Sequence, residues 1–160
     1  MTCVLAIDPG LNNGIAVVDH ERRLRLASEI PIIGDKANKR LNLASFSDVI
    51  HSHRITHAVI EDVGAMPKQG VSSTFRFGRA TGSLEGAVTA LRIPITFVRP
   101  AQWKRDIGAK SKQVEDVRAL AIQTWPDRAE WFQLHKHHNR AEAALLALWF
   151  WQHSTFKDTL

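Results

Sequence analysis

The sequence predicts an α/β fold in which a mixed five-stranded sheet, three antiparallel strands followed by two parallel ones, carries helices on both faces. Two observations predict it. The first thirty residues hold three short apolar runs separated by turn residues, which is the pattern of an antiparallel meander. After them, helical spacing alternates with short apolar runs, and strands linked through helices come to lie parallel by right-handed crossovers. At 160 residues and 44% hydrophobic content, the chain is long and apolar enough to close a core around such a sheet as one domain, residues 1–160.

The strands of the meander are residues 3–7, 14–18 and 24–30, joined through Gly-Leu-Asn-Asn-Gly at 10–14 and through the polar stretch 19–23. A polar loop follows at 34–39. Residues 41–53 space Leu43, Phe46, Val49 and Ile50 along one face of a helix. Thr56 to Glu61 reads as a buried strand, and residues 62–71 as an aperiodic loop with Gly, Pro and Lys. A long helix is predicted over 72–91, a fifth strand over 93–98, and a short helix over 100–107 opened by Pro100. A basic loop at 108–112, a helix at 114–125, a His-rich irregular stretch at 126–138 and an apolar helix at 139–152 complete the order.

Lys and Arg number 21 against 16 Asp and Glu, a net charge of +5 that suits a polyanion such as nucleic acid. Cys3 is the only cysteine, so the sequence offers no intrachain disulfide and no cysteine cluster for zinc; a reducing cytoplasm is the expected setting. No signal-peptide pattern opens the chain and no apolar run approaches the length of a spanning helix, so no membrane association is expected.

Three acids stand out by position. Asp8 ends an apolar strand and is stopped at once by Pro9 and Gly10, which leaves its carboxylate at the strand's carboxyl tip, where open α/β sheets place ligands. Asp-Pro-Gly is equally good turn chemistry. Glu61 repeats the arrangement after Ala58-Val59-Ile60; Asp62 is adjacent, and since neighbours on a strand face opposite ways, only one of the two can share a site with Asp8. Glu142 interrupts an otherwise apolar helix, with His138 one turn earlier and Asn139 beside it; pairing with Arg140 or with the helix dipole is the plainer alternative. Together, two strand-tip carboxylates and one helix carboxylate can converge on Mg²⁺, and two such ions about 4 Å apart can activate water and stabilise a leaving oxygen in phosphodiester hydrolysis.

At these residues the sequence resembles the RuvC family of Holliday-junction resolvases, of the RNase H-like and retroviral-integrase superfamily. The resemblance runs in order through Ala6-Ile7-Asp8-Pro9-Gly10 with Gly14, Val59-Ile60-Glu61 with Val63, and Phe77-Gly78-Arg79-Ala80-Thr81-Gly82. It continues through Lys112 with Val114 and ends at Arg140-Ala141-Glu142-Ala143. Arg99 to Lys104 and the Arg-Ala-Glu-Ala motif look more like the phage and organellar branch than the bacterial housekeeping branch. The resemblance implies an RNase H-like nuclease domain and a homodimer that places paired nicks in branched DNA, above all a four-way junction. It implies two Mg²⁺ per site, with Mn²⁺ accepted, and a bacterial, phage or organellar setting. In that family Asp8, Glu61 and Glu142 would be the catalytic metal ligands. For a fourth ligand, where relatives carry Asp or His, this chain offers His137, His138 and Asn139, and His138 is the choice; His135 and His137 read as ordinary surface histidines.

The basic residues Lys68, Arg76, Arg79, Lys104, Arg105, Lys110 and Lys112 cluster in two loops and adjoining helix ends that such a fold would set near the site, and are expected to contact phosphates. Phe75 is assigned to DNA and Phe77 to packing. Two rival functions remain on the sequence: a nuclease of the same fold acting on flaps, other branched DNA or RNA, and a non-catalytic DNA-structure binder, the latter because an acid is missing near His138.

Overall fold

The computed structural model describes residues 2–65, 67–109 and 114–154, with residues 37, 114 and 115 as backbone only. The meander forms as β1 (Cys3–Asp8), β2 (Gly14–Asp19) and β3 (Leu24–Ser28), paired antiparallel with Ile7 opposite Ile15 and Val17 opposite Leu26. The segment read as a polar loop, 34–39, connects the strands of a small hairpin, β4 (Ile32–Ile33) against β5 (Arg40–Leu41). Two-residue strands carry too short a pattern to be read from sequence. Asn42 then caps α1 (Leu43–Ser52), its side chain accepting from the Ser45 amide at 3.3 Å, so the helix begins at 43 rather than 41.

β6 (Ile55–Glu61) adds to β1 in parallel, and after α2 (Val71–Ala90) the edge strand β7 (Ile95–Val98) adds to β6 in parallel. The sheet order is β3-β2-β1-β6-β7, three antiparallel and two parallel strands as predicted. α3 (Pro100–Asp106), α4 (Val114–Thr124), two short 3₁₀ stretches and α5 (His138–His153) complete the chain. Pro100 stands at the start of α3, where its missing amide hydrogen costs no helix bond.

Strand alternation divides the core in two. Cys3, Leu5 and Ile7 of β1 and Ala58 and Ile60 of β6 face α1 and α2, where Phe46, Ile50, Leu84 and Val88 cover them. Val4, Ala6 and Val59 face the other way, onto Trp103, Ala121 and a run of α5 from Ala141 to Trp151 that is buried almost throughout. α5 is thus wedged between the sheet and α4, which explains why it is apolar on all sides. Among the described residues, no helix is long and apolar enough to cross a membrane.

Candidate metal centre

The same alternation decides where the acids point. Asp8 has the parity of Val4 and Ala6, and Glu61 that of Val59, so both carboxylates emerge on the α5 side at neighbouring strand tips. Asp62 falls on the other parity and is exposed. α5 brings Glu142 into the same space, and one oxygen from each of Asp8, Glu61 and Glu142 lies within 4.8 Å of the others. All three are nearly closed off from solvent, at 9%, 5% and 8% exposure.

Two glycines permit this approach. At Gly14, a Cβ would sit 2.0 Å from the carbonyl oxygen of Asn139 and 2.6 Å from the amide nitrogen of Arg140, so the first turn of α5 rests directly on the start of β2. Gly10, at φ +130, turns the chain away after Asp8 in a conformation unfavourable to residues with a side chain, and the Phe77 ring packs over it. Asn13, 1% exposed, ties the β1–β2 loop to Ile30 by exchanging two hydrogen bonds, 3.2 Å to the carbonyl oxygen and 2.7 Å from the amide.

Neighbours orient each acid differently. The indole nitrogen of Trp103, fully buried on α3, donates to Glu61 Oε1 at 2.9 Å. Lys104, next along α3, donates from Nζ to Glu142 Oε1, and His138 Nε2 lies 3.4 Å from the same oxygen. Burial pushes the Asp8 carboxyl well above the usual carboxylate range, with the charges of Glu61 and Glu142 adding to it against the opposing charge of Lys104. Burial also raises Glu61, helped by Glu142 and opposed by the Trp103 hydrogen bond. Burial acts on Glu142 in the same sense, yet the contacts from His138 and Lys104 prevail and its carboxyl lies below its ordinary value. A site where two of three acids resist ionisation, and where all donors are oxygens, fits a hard divalent cation such as Mg²⁺ or Mn²⁺, whose charge would relieve the repulsion.

Of the three residues considered for a fourth ligand, only His138 touches an acid of the cluster, and its Nδ1 is buried without a hydrogen bond among the described residues. His137 is not a surface histidine: it is 7% exposed and its Nδ1 accepts from the Leu134 amide at 3.3 Å. Asn139 donates to the Asn12 carbonyl at 2.9 Å.

Of the residues assigned to DNA, Lys104 contacts Glu142 in the centre itself, Arg105 follows it on α3, and the other described ones lie on α2 or in the loop before it. Phe75 is 66% exposed on the first turns of α2, with the Arg79 guanidinium 5.5 Å from its ring centre. Arg76 lines the depression between α2 and the β1–β2 loop. Lys68 is exposed in the loop before α2, and Arg105 pairs with Asp106 at 3.1 Å, while Lys110 and Lys112 lie outside the described residues. Sequence reading missed Lys39 and Arg40, which the β4–β5 hairpin brings beside Arg76 and Arg79 in one cleft; Arg79 Nη2 donates to the Lys39 carbonyl at 3.2 Å. It also missed the roles of Trp103 and Asn13, which rest on partners 42 and 17 residues away. For Trp103 the available signal was an aromatic beside a lysine on a proline-initiated helix.

No protein-family model and no curated protein matches the chain. Among solved structures, Thermus thermophilus RuvC in complex with a Holliday junction substrate superposes with a TM-score of 0.71 over 97% of this chain and 98% of that one. The fold is that of RuvC. A second Thermus thermophilus RuvC structure matches at a TM-score of 0.57 over 94% of this chain and 95% of that one. Both are 18% identical to the chain, so they establish the RuvC, RNase H-like architecture.

Proposed function

We propose that the chain is a metal-dependent, structure-selective DNA endonuclease that resolves four-way junctions by paired phosphodiester hydrolysis, working as a homodimer of one RNase H-like domain in the cytoplasm. The observation that carries this reading is the convergence of Asp8, Glu61 and Glu142 within 4.8 Å at the strand tips of a RuvC fold. In it, the three carboxylates hold the divalent ions, two per site, with His138 at their edge. When bound, such ions activate water and stabilise the leaving oxygen of phosphodiester hydrolysis. Trp103 fixes the rotamer of Glu61 through its indole hydrogen bond. Lys104 steadies Glu142 and adds a positive charge where a phosphate would dock. His138, close to Glu142 and half free of partners, is placed to bind a metal or to move a proton. Phe75 supports an unpaired or stacked base, and Arg76, Arg79, Lys39, Arg40, Lys68, Lys110 and Lys112 the flanking phosphates.

The test is incubation of labelled four-way junctions, flaps, linear duplexes and RNA–DNA hybrids with Mg²⁺ or Mn²⁺. Paired nicks in the four-way junction are expected, with at least a 10²-fold loss in Asp8→Asn, Glu61→Gln and Glu142→Gln. Undiminished cleavage by Asp8→Asn sinks the assignment, and preference for a flap or hybrid replaces the substrate.

A further inference from the structure

A concave strip runs over the strand tips and the β1–β2 loop. From α2 it crosses the β1–β2 loop at Leu11 and Asn12 and drops into a groove of about 660 Å³ on the far side. There the guanidinium of Arg140 is already matched by Glu29, with Nε 2.7 Å from Oε1 and Nη2 bonded to Oε2. With its charge matched in this way, Arg140 is not left free for a phosphate, and that part of the groove suits a neutral group.

Polar atoms remain uncommitted around it. Asn12 and His135 are exposed, and Asn139, having given one N–H to the Asn12 carbonyl, keeps Oδ1 without a hydrogen bond among the described residues. Pro31 and Ile32 add an apolar edge. The walls are fixed in advance by the two bonds between Asn13 and Ile30 and by the Arg140–Glu29 pair. The groove adjoins the metal centre through His138, which lines it and lies 3.4 Å from Glu142 Oε1.

Amide and imidazole groups set beside an apolar edge, in a rigid groove within the roughly 300–1,000 Å³ typical of ligand sites, are the recognition chemistry of a nucleobase. We propose that this groove receives the base next to the scissile phosphate, on the side away from α2, and reads it through Asn12, His135 and Asn139. The proposal rests on the nuclease reading and adds sequence selection to it, with Lys136 at the rim for the adjoining phosphate.

Junctions that differ only in the bases flanking the nick are cut under single-turnover conditions by the wild-type protein and by Asn12→Ala and His135→Ala, two exposed positions. Wild-type rates are expected to spread by roughly tenfold among the four bases at one flank, and the spread to shrink to about threefold or less in the variants. In parallel, 4-thiothymidine at that flank is irradiated in the bound complex, with crosslinks expected within residues 29–32 or 135–139. Equal wild-type rates for all bases, or a spread that survives both substitutions, overturns the base-reading groove. A wild-type protein that cuts no junction overturns the nuclease reading instead; crosslinks in the groove then still support base binding there, and crosslinks confined to other segments overturn it.

Discussion

The fold opposes the ionisation of Asp8. Burial and two neighbouring carboxylates raise its pKa above that of the unfolded chain, so the folded state binds more protons than the unfolded state once pH exceeds the ordinary carboxylate range. Stability contributed by the neutral form is therefore present below that range and is lost as pH rises through the folded-state pKa, opposite in sign to a paired surface aspartate. With metal chelated, Tm should fall as pH rises across this window. Asp8→Asn should lessen the fall and raise Tm near neutrality, at roughly 2–4 °C for each kcal/mol of relieved repulsion. The same substitution should remove the stabilisation that millimolar Mg²⁺ or Mn²⁺ gives the wild type. Thermal melts of the two proteins with chelator and with metal check this, and a lower Tm for Asp8→Asn in chelator contradicts it. Asp8 and Glu61 were legible in the sequence because each ends an apolar strand just before a turn, a local pattern. Trp103 and Asn13 were not, because each acts through a partner brought near only by the fold.

At the scale of elements, the position of Glu142 depends on how α5 meets β2. The helix touches the strand at Gly14, where there is no room for a Cβ against the backbone of Asn139 and Arg140. Gly14→Ala should push the first turn of α5 outward, at a cost of about 1–3 kcal/mol in stability. It should also widen the distance from Glu142 to Asp8, and a displacement near 1 Å is enough for about a 10²-fold loss of cleavage. Denaturant melts and junction-cleavage rates measured on the same preparation test this; a variant with native stability and rate shows that the contact does not set the site. α5 itself was readable as an apolar helix broken by one acid. The β4–β5 hairpin was not, since Ile32–Ile33 and Arg40–Leu41 are too short to show a period, and so the two basic residues it presents escaped notice.

Across the whole molecule, the excess positive charge has a place. Arg76 and Arg79 on α2 and Lys39 and Arg40 on the hairpin border one cleft, though they come from segments far apart in sequence, and the exposed Phe75 lies beside it. The mix of three antiparallel and two parallel strands was predictable from the order of strands and helices, whereas the meeting of hairpin and helix joins residues 40 positions apart, as in the Arg79–Lys39 hydrogen bond. If the cleft holds the phosphates of one junction arm, each neutralised phosphate releases condensed counterions on binding. Junction affinity, measured in Ca²⁺ over a range of salt, should then fall linearly on a log–log plot. Replacing Lys39 and Arg40 together by Ala should make the slope shallower by roughly 0.9 for each phosphate that no longer meets a cation, and the pair Arg76→Ala and Arg79→Ala should do the same. Where the two pairs meet different phosphates of that arm, removing all four should flatten the slope by about the sum of the two pairs. The weakening should be equal for junctions of different sequence, since phosphate contacts carry no base information. An unchanged slope in the Lys39 and Arg40 pair would place the arm elsewhere, and a weakening that varied with sequence would mean that the cleft reads bases.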